Sequence, residues 1–254
     1  MELQRGKEIF VDGILDEIEL TGYDAHLRPA WLHIFPRVVA PFRYPGHGFQ
    51  MIASYIGQMA PSGRITIAAA LQSADEMRRI QRIAYRIRQL QLIYPGLGSD
   101  SRALWQTDSL WQPLREVVEK LLNTYDWAES FVGLNLALKP LIDELFMKYL
   151  SDVALRADDY LLGQIFYSLN EDCQWHRQWC ESLVRMAIED HALNRDTIQA
   201  WIHRWYPLAA RAVHAFASFL EETFEQAQPL ESLERIIDRY YRDYLRPMNL
   251  DVRS

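Results

Sequence analysis

Apolar residues recur every three or four positions through long stretches of this 254-residue chain, and no stretch shows the strict alternation of a strand. Glycine and proline, 11 of each, fall mostly between these stretches, as in the breaks "APFRYPGHG" (40–48) and "PGLGSDS" (95–101). The pattern predicts an all-α protein. Its helices are expected over about 7–20, 24–39, 49–59, 62–94, 109–125, 126–157, 158–190, 194–220 and 233–245.

Composition limits the classes of protein to which the chain can belong. With 49% hydrophobic residues it can bury a substantial core, and we expect one helical domain over 1–220 with a C-terminal helical appendage over 221–254. The net charge of −7 argues against a general nucleic-acid binder. No run approaches the roughly 18 apolar residues of a membrane span. The charged N-terminus also lacks the apolar stretch of a signal peptide.

The two cysteines, Cys173 and Cys180, lie seven residues apart. On one helix that spacing separates them by about 10 Å, which is too far for a disulfide. Reduced thiols are typical of the cytoplasm, so we expect a cytoplasmic protein in which both cysteines are small core residues.

Two helical segments carry polar residues that should point inward. In "SADEMRRIQR", Glu76 lies four residues before Ile80 and therefore lines up with the apolar stripe of its helix. In "NEDCQWHRQW", His176 shares a helix face with Cys173 and Cys180. Helical di-iron proteins combine two Glu-x-x-His pairs with a glutamate from each of two further helices. The two segments therefore resemble the two paired helices of a di-iron bundle.

The ligand set of such a site is incomplete. Arg79 stands three residues after Glu76, where a histidine is needed, and Cys173 stands three before His176, where a glutamate is needed. The other candidate bundle helices, in "SFVGLNLALKPLI" and "FQMIASYIGQM", contain no carboxylate. The sequence predicts a di-iron-like scaffold in which Glu76, Arg79, Cys173 and His176 are degenerate positions that bind no metal.

Five separated segments resemble one protein family in order and spacing. They are "YIGQMAPSGRI", "SADEMRRIQRIAYRIRQL", "YDWAESFVGLNLALKPLIDE", "EDCQWHRQWCESLVRMAIED" and "IQAWIHRWYPLAARAV". Together they resemble the β subunit of the hydroxylase of bacterial multicomponent monooxygenases, most of all the toluene, phenol and alkene enzymes. The resemblance implies a ferritin-like, ribonucleotide-reductase-like bundle of long helices with extra peripheral helices. Family β subunits usually carry a longer N-terminal arm around their partner, whereas this chain begins close to the bundle.

The resemblance also implies a function and partners. The chain would be a non-catalytic structural subunit of a hydroxylase that oxidises small aromatic or alkene hydrocarbons. It would hold no cofactor and no catalytic residue, and the di-iron centre would lie in a catalytic α subunit. A small γ subunit, an effector protein, a ferredoxin and a reductase would complete the system, in an (αβγ)2 or (αβ)2 assembly.

Two other functions are open at this point. In the first, the chain is a self-contained metalloenzyme in which Glu76, Asp172 and His176 hold a single metal, because residues at i and i+4 on a helix can reach a common ion. In the second, it is a helical interaction module unrelated to oxygenation.

Several surface features are expected to serve the assembly. The helices over 49–59 and 62–94 are predicted to supply most of the contact with α. Ile56 is an apolar position there at which an introduced charge would test the contact, unless the side chain belongs to the core. The row of Arg78, Arg82 and Arg86 predicts a solvated basic face, or else a contact with an acidic partner. Apart from the assembly, Pro140 and Pro207 are expected to kink the helices in which they lie. His47 is expected in a loop.

Overall fold

The computed structural model describes residues 5–7, 9–14, 22–223 and 230–252, and within these ranges the chain is all-α, as predicted. The helices are α1 (Pro29–Ile34), α2 (Arg43–Met59), α3 (Gly63–Ile93), α4 (Ser101–Thr107), α5 (Gln112–Leu122), α6 (Trp127–Phe131), α7 (Lys139–Asp143), α8 (Leu150–Arg156), α9 (Tyr160–Asp190), α10 (Ala192–Thr223) and α11 (Leu230–Leu245). The predicted helix over 7–20 is helical at 5–7 and 9–14, and its remainder lies outside the described residues.

Polar residues set where several helices begin. Ser62, Asp126 and Asp159 precede α3, α6 and α9, and each side chain accepts a hydrogen bond from a backbone N–H two or three residues further on. These bonds satisfy amides that have no partner inside the helix.

A bundle of four long helices forms the centre of the molecule. Two of them are α2 and α3, which pack antiparallel, and the third is α9, antiparallel to α3. The fourth is a composite helix over 127–156, in which wide π-helical turns at Val132–Leu138 and Glu144–Tyr149 separate α6, α7 and α8. The backbone therefore leaves α geometry on both sides of Pro140, as a proline predicts. Pro207, by contrast, lies within α10.

The predicted break over 40–48 is wrong, because the chain stays helical from α1 through a π turn and a 3-10 turn into α2. Pro45 is the third residue of α2, and the N–H groups of a first turn have no partner within their own α-helix. A Cβ on Gly48 would stand 2.4 Å from Cγ1 of Val118, so this glycine allows close helix packing instead of ending a helix. His47, expected in a loop, is exposed on α2.

Peripheral helices cover one side of the bundle. Helix α10 packs on α5 and on the composite helix, where Trp111, Phe146 and Phe216 meet edge to face or tilted. Helix α11 packs on α10 and α7, and its Tyr241 is fully buried. The chain between α10 and α11, at the predicted domain boundary, lies outside the described residues, so that boundary stays a prediction. None of the described helices has the length and apolar character needed to cross a membrane.

Candidate functional site

Four charged side chains meet inside the bundle, and each is at most 3% exposed. Glu76 and Arg79 come from α3, and Lys139 and Asp143 come from α7. Nζ of Lys139 lies 2.5 Å from Oε1 of Glu76 and 3.1 Å from Oδ2 of Asp143. Nη1 of Arg79 donates to Oδ1 of Asp143 at 3.1 Å. We call these four residues the ion cluster.

The other two bundle helices close the ion cluster from either side. From α2, the ring centroid of Phe49 lies 5.7 Å from Nζ of Lys139. From α9, Sγ of Cys173 accepts a hydrogen bond of 2.8 Å from Nη2 of Arg79. Oε2 of Glu76 lies 3.1 Å from Nη1 of Arg79, a contact of opposite charges without hydrogen-bond geometry. Both carboxylates of the cluster therefore face nitrogen cations.

His176 links the ion cluster to the surface. Its Nδ1 lies 4.0 Å from Oε1 of Glu76, and its Nε2 lies 3.1 Å from Oδ2 of Asp75, which is 18% exposed. Burial lowers the pKa of His176, because the charged imidazolium loses its hydration. The imidazole is therefore neutral at neutral pH. It is hydrogen-bonded to Asp75 through Nε2, and its Nδ1 faces Glu76 without a hydrogen bond.

Electrostatics favours the charged form of the ion cluster. Burial and the neighbouring Arg79 both lower the pKa of Lys139, but the carboxylates of Asp143 and Glu76 outweigh them, so its pKa lies above the ordinary value. Burial raises the pKa of Asp143, but Lys139 and Arg79 reverse this effect and hold that pKa well below its usual range. Two cations thus face two carboxylates, which makes the cluster neutral as a unit.

The thiol of Cys173 behaves differently from a metal ligand. Burial raises the pKa of Cys173 to about 12, even though Arg79 favours the thiolate. Metal coordination and nucleophilic attack both require a thiolate. At neutral pH this side chain is a neutral thiol that accepts a hydrogen bond, and both cysteines are buried and reduced.

The ion cluster does not fit a di-iron centre. A carboxylate binds a metal through oxygen lone pairs, and here the ammonium of Lys139 and the guanidinium of Arg79 face those lone pairs. Among the residues that the structure describes, no group of three or more His, Cys, Asp or Glu side chains is placed to hold a metal ion.

The three residues of the single-metal alternative are not brought together. Oδ2 of Asp172 accepts a 2.6 Å hydrogen bond from Arg78, and its Oδ1 lies 3.2 Å from Nζ of Lys7. Glu76 and His176 do approach each other, at the edge of the ion cluster. The alignment of Asp172 with His176 along one helix therefore does not give a shared site.

Three residues of the site do not follow from the sequence pattern: Lys139, Asp143 and Asp75. The segment 130–142 of the composite helix contains no carboxylate, and Asp143 is the next residue. The sequence does contain one signal for these residues. Lys139 is the only charged residue in the apolar segment 130–142, and a buried lysine needs a partner of opposite charge.

The predicted arginine row is not one solvated face. Arg86 is fully buried and donates to Asp24 at 2.6 and 2.8 Å and to Asp159 at 2.7 Å. Arg78 pairs with Asp75 and Asp172, and so belongs to a network within the chain. Positions i and i+8 differ by about 80° around a helix, enough to turn Arg86 into the core.

The sequence profile of a family described as methane/phenol/alkene hydroxylase matches residues 1–191, about three quarters of the chain. The chain belongs to this family. The β subunit of the toluene-4-monooxygenase hydroxylase component from Ectopseudomonas mendocina is 39% identical over 231 residues, covering 90% of the chain and 70% of that protein. The predicted resemblance to a hydroxylase β subunit is confirmed.

Less similar relatives are also subunits of hydroxylase components. The small subunit of the propane 2-monooxygenase hydroxylase component from Gordonia sp. (strain TY-5) is 26% identical over 231 residues. The match covers 88% of the chain but only 62% of that relative. The chain thus spans less than two thirds of the length of this more distant relative.

Solved structures agree with this family membership. A structure of toluene 4-monooxygenase with toluene in the resting active site superposes with a TM-score of 0.83 at 39% identity, covering 86% of the chain and 73% of the matched chain. Xenon-pressurized phenol hydroxylase from Pseudomonas sp. OX1 superposes with a TM-score of 0.89 over the whole chain and 75% of its own, at 16% identity. The second likeness concerns the fold alone, and the ferritin-like helical fold is confirmed.

Proposed function

We propose that this chain is a structural, non-catalytic subunit of a multicomponent di-iron monooxygenase hydroxylase that oxidises small aromatic or alkene hydrocarbons. The observation that carries the proposal is the ion cluster, which fills the centre of a hydroxylase-family bundle with two ion pairs. The iron, the oxygen chemistry and the substrate pocket then lie in a catalytic α subunit. The 39% identical toluene relative supports an aromatic substrate class.

The proposal includes further partners. A small γ subunit, an effector protein, and a ferredoxin with its reductase act on an (αβγ)2 or (αβ)2 complex. The single-metal alternative has no support from the geometry, because Asp172 is held by Arg78 and Lys7.

A concentration of exposed apolar side chains on helices α2 and α3 supports the proposal that these two helices contact the catalytic subunit. Eight large hydrophobic residues are exposed there: Met51, Met59, Ile67, Leu71, Met77, Tyr85, Leu92 and Ile93. A concentration of exposed apolar side chains is one mark of a protein interface. Ile56, the position that the sequence suggested for a charge substitution, is fully buried and belongs to the core.

Metal analysis tests the proposed function. We expect the purified chain to contain far less than one iron per chain and to oxidise no hydrocarbon. Co-expressed with its genomic neighbours, it should co-purify with a larger polypeptide that carries two intact Glu-x-x-His motifs. Two tightly bound irons per isolated chain, or turnover by that chain, would contradict the proposal.

A charge substitution tests the interface. Leu71→Glu places a carboxylate at a side chain that is 52% exposed on α3, and Leu193→Glu makes the same change at one that is 65% exposed on α10. Both variants should keep the stability of the isolated chain within about 0.5 kcal/mol. Only Leu71→Glu should reduce the recovery of α in co-purification. Equal recovery with both variants would mean that the interface lies elsewhere.

A further inference from the structure

Helix α3 and the composite helix are joined by three successive polar pairs. Gln72 donates to Asn135 at 2.7 Å, Lys139 donates to Glu76 at 2.5 Å, and Arg79 donates to Asp143 at 3.1 Å. The partners are separated by 63, 63 and 64 residues along the chain, which means that the two helices run parallel in a fixed register. A slip of one residue, about 1.5 Å, would misalign all three pairs.

The ion cluster also coincides with the positions that a di-iron bundle uses. Such a bundle takes Glu-x-x-His from two helices and one glutamate from each of the other two. Here α3 supplies Glu76 and Arg79 at the spacing of such a pair, and α9 supplies Cys173 and His176. The composite helix faces them with Lys139, whose Nζ lies over the Phe49 ring of α2. All four helices thus meet at one point.

We propose that the ammonium of Lys139 and the guanidinium of Arg79 take the place of the metal ions, so that the chain fastens its bundle with cations of its own. The inference deepens the proposed structural role and rests on it for the comparison with di-iron subunits. Buried carboxylates need a positive partner, and in a metalloprotein the metal ion supplies it. A cation attached to the chain cannot dissociate, so the bundle keeps its register whatever the metal supply.

If side-chain cations take the place of metal ions, exchanging these cations for metal ligands should allow the chain to bind a metal. In the triple variant Arg79→His/Lys139→Glu/Cys173→Glu, both cations are removed and oxygen and imidazole donors join Glu76 and His176. A matched control, Arg79→Gln/Lys139→Gln/Cys173→Ser, removes the same cations without adding ligands. Full-length protein is titrated with Co²⁺ alone, read by its visible absorption, by bound metal after desalting and by thermal melting.

We expect the triple variant to retain about one or more Co²⁺ per chain and to melt at a higher temperature with Co²⁺ than without it. Wild type and the control should show neither effect. Folding of the triple variant only in the presence of Co²⁺ also supports the proposal. A folded triple variant that retains no more Co²⁺ than the control overturns it.

A second pair of variants decides the matter if the triple variant does not fold under any condition. Lys139→Met leaves Glu76 without its closest cation and should lower the melting temperature. Lys139→Met/Glu76→Gln removes both charges and should recover most of that loss. A double variant no more stable than the single variant overturns the proposal. Failure of the wild type to co-purify with a larger polypeptide would contradict the proposed function alone, so the two failures are distinguishable.

Discussion

At the scale of single residues, Arg86 shows how the core of this protein accommodates a second buried charge, away from the ion cluster. The guanidinium is fully buried and contacts the carboxylates of Asp24 and Asp159. Asp159 also caps α9 and accepts a 2.9 Å hydrogen bond from the indole of Trp31. One side chain thereby ties α3 to the start of α9 and to the turn at Tyr23–His26.

Arg86→Gln should destabilise the chain by about 3–5 kcal/mol, because it leaves Asp24 and Asp159 buried without a cation. Arg88→Gln, an exposed position one half-turn further along α3, is the control and should change stability by about 0.5 kcal/mol or less. Urea unfolding followed by circular dichroism measures both. Equal effects of the two substitutions would show that the contacts of Arg86 with Asp24 and Asp159 do not stabilise the folded chain.

The two cysteines should be unreactive in the folded chain. Burial raises the pKa of Cys173 to about 12 and raises that of Cys180 well above its usual value, and neither thiol reaches the surface. Iodoacetamide at pH 8 should therefore label both only when urea unfolds the protein. Labelling in native buffer, detected by mass spectrometry, would show that α9 opens locally.

At the scale of elements, glycine sets how closely the helices pack. Gly48 on α2 faces Val118 of α5, and Gly133 on the composite helix faces Leu121 of α5. A Cβ added to either glycine would lie only 2.4 Å from the facing side chain. Two helices of the bundle therefore approach α5 through positions that have no side chain. This close packing, together with the wide π turns around α7, sets where Lys139 and Asp143 point.

Gly48→Ala should destabilise the chain by about 1–3 kcal/mol, because the added methyl overlaps Val118. Gly63→Ala is the matched control on α3, where a Cβ meets nothing within 4 Å, and it should stabilise by roughly 0.5 kcal/mol. Thermal and urea unfolding compare the two. A neutral Gly48→Ala would mean that α2 and α5 can move apart freely.

At the scale of the whole molecule, buried ion pairs link stability to pH. The pKa of Asp143 is lower in the folded chain than in the unfolded chain. Its contribution to stability is therefore complete above the unfolded value of about 4 and is lost as the pH falls toward the lower folded value.

The free energy of unfolding of Asp143→Asn should lie below that of wild type at pH 7, and the difference should shrink as the pH falls from about 5 to 3. Asp196→Asn alters an exposed carboxylate and should follow wild type throughout. Urea titrations across this range measure the difference. A gap that is constant or widens on acidification would contradict a depressed pKa for Asp143.

The sequence by itself determined the helical fold, the inward direction of Glu76 and His176, and the family. Helical periodicity encodes which face of a helix is buried, because residues three and four apart share a side. That information is local, so it was readable without knowing what the helices pack against. It failed at 40–48, where glycines that serve packing between helices resembled a break.

Only the tertiary structure decided which charges meet. Glu76 and Lys139 are 63 residues apart, and His176 and Asp75 are 101 apart, so their pairing depends on how whole helices align. The same alignment buries Arg86, which the local pattern had placed on a solvated face. A periodic pattern gives the direction of a side chain but not its partner, because the partner is fixed by the register and orientation of a second helix.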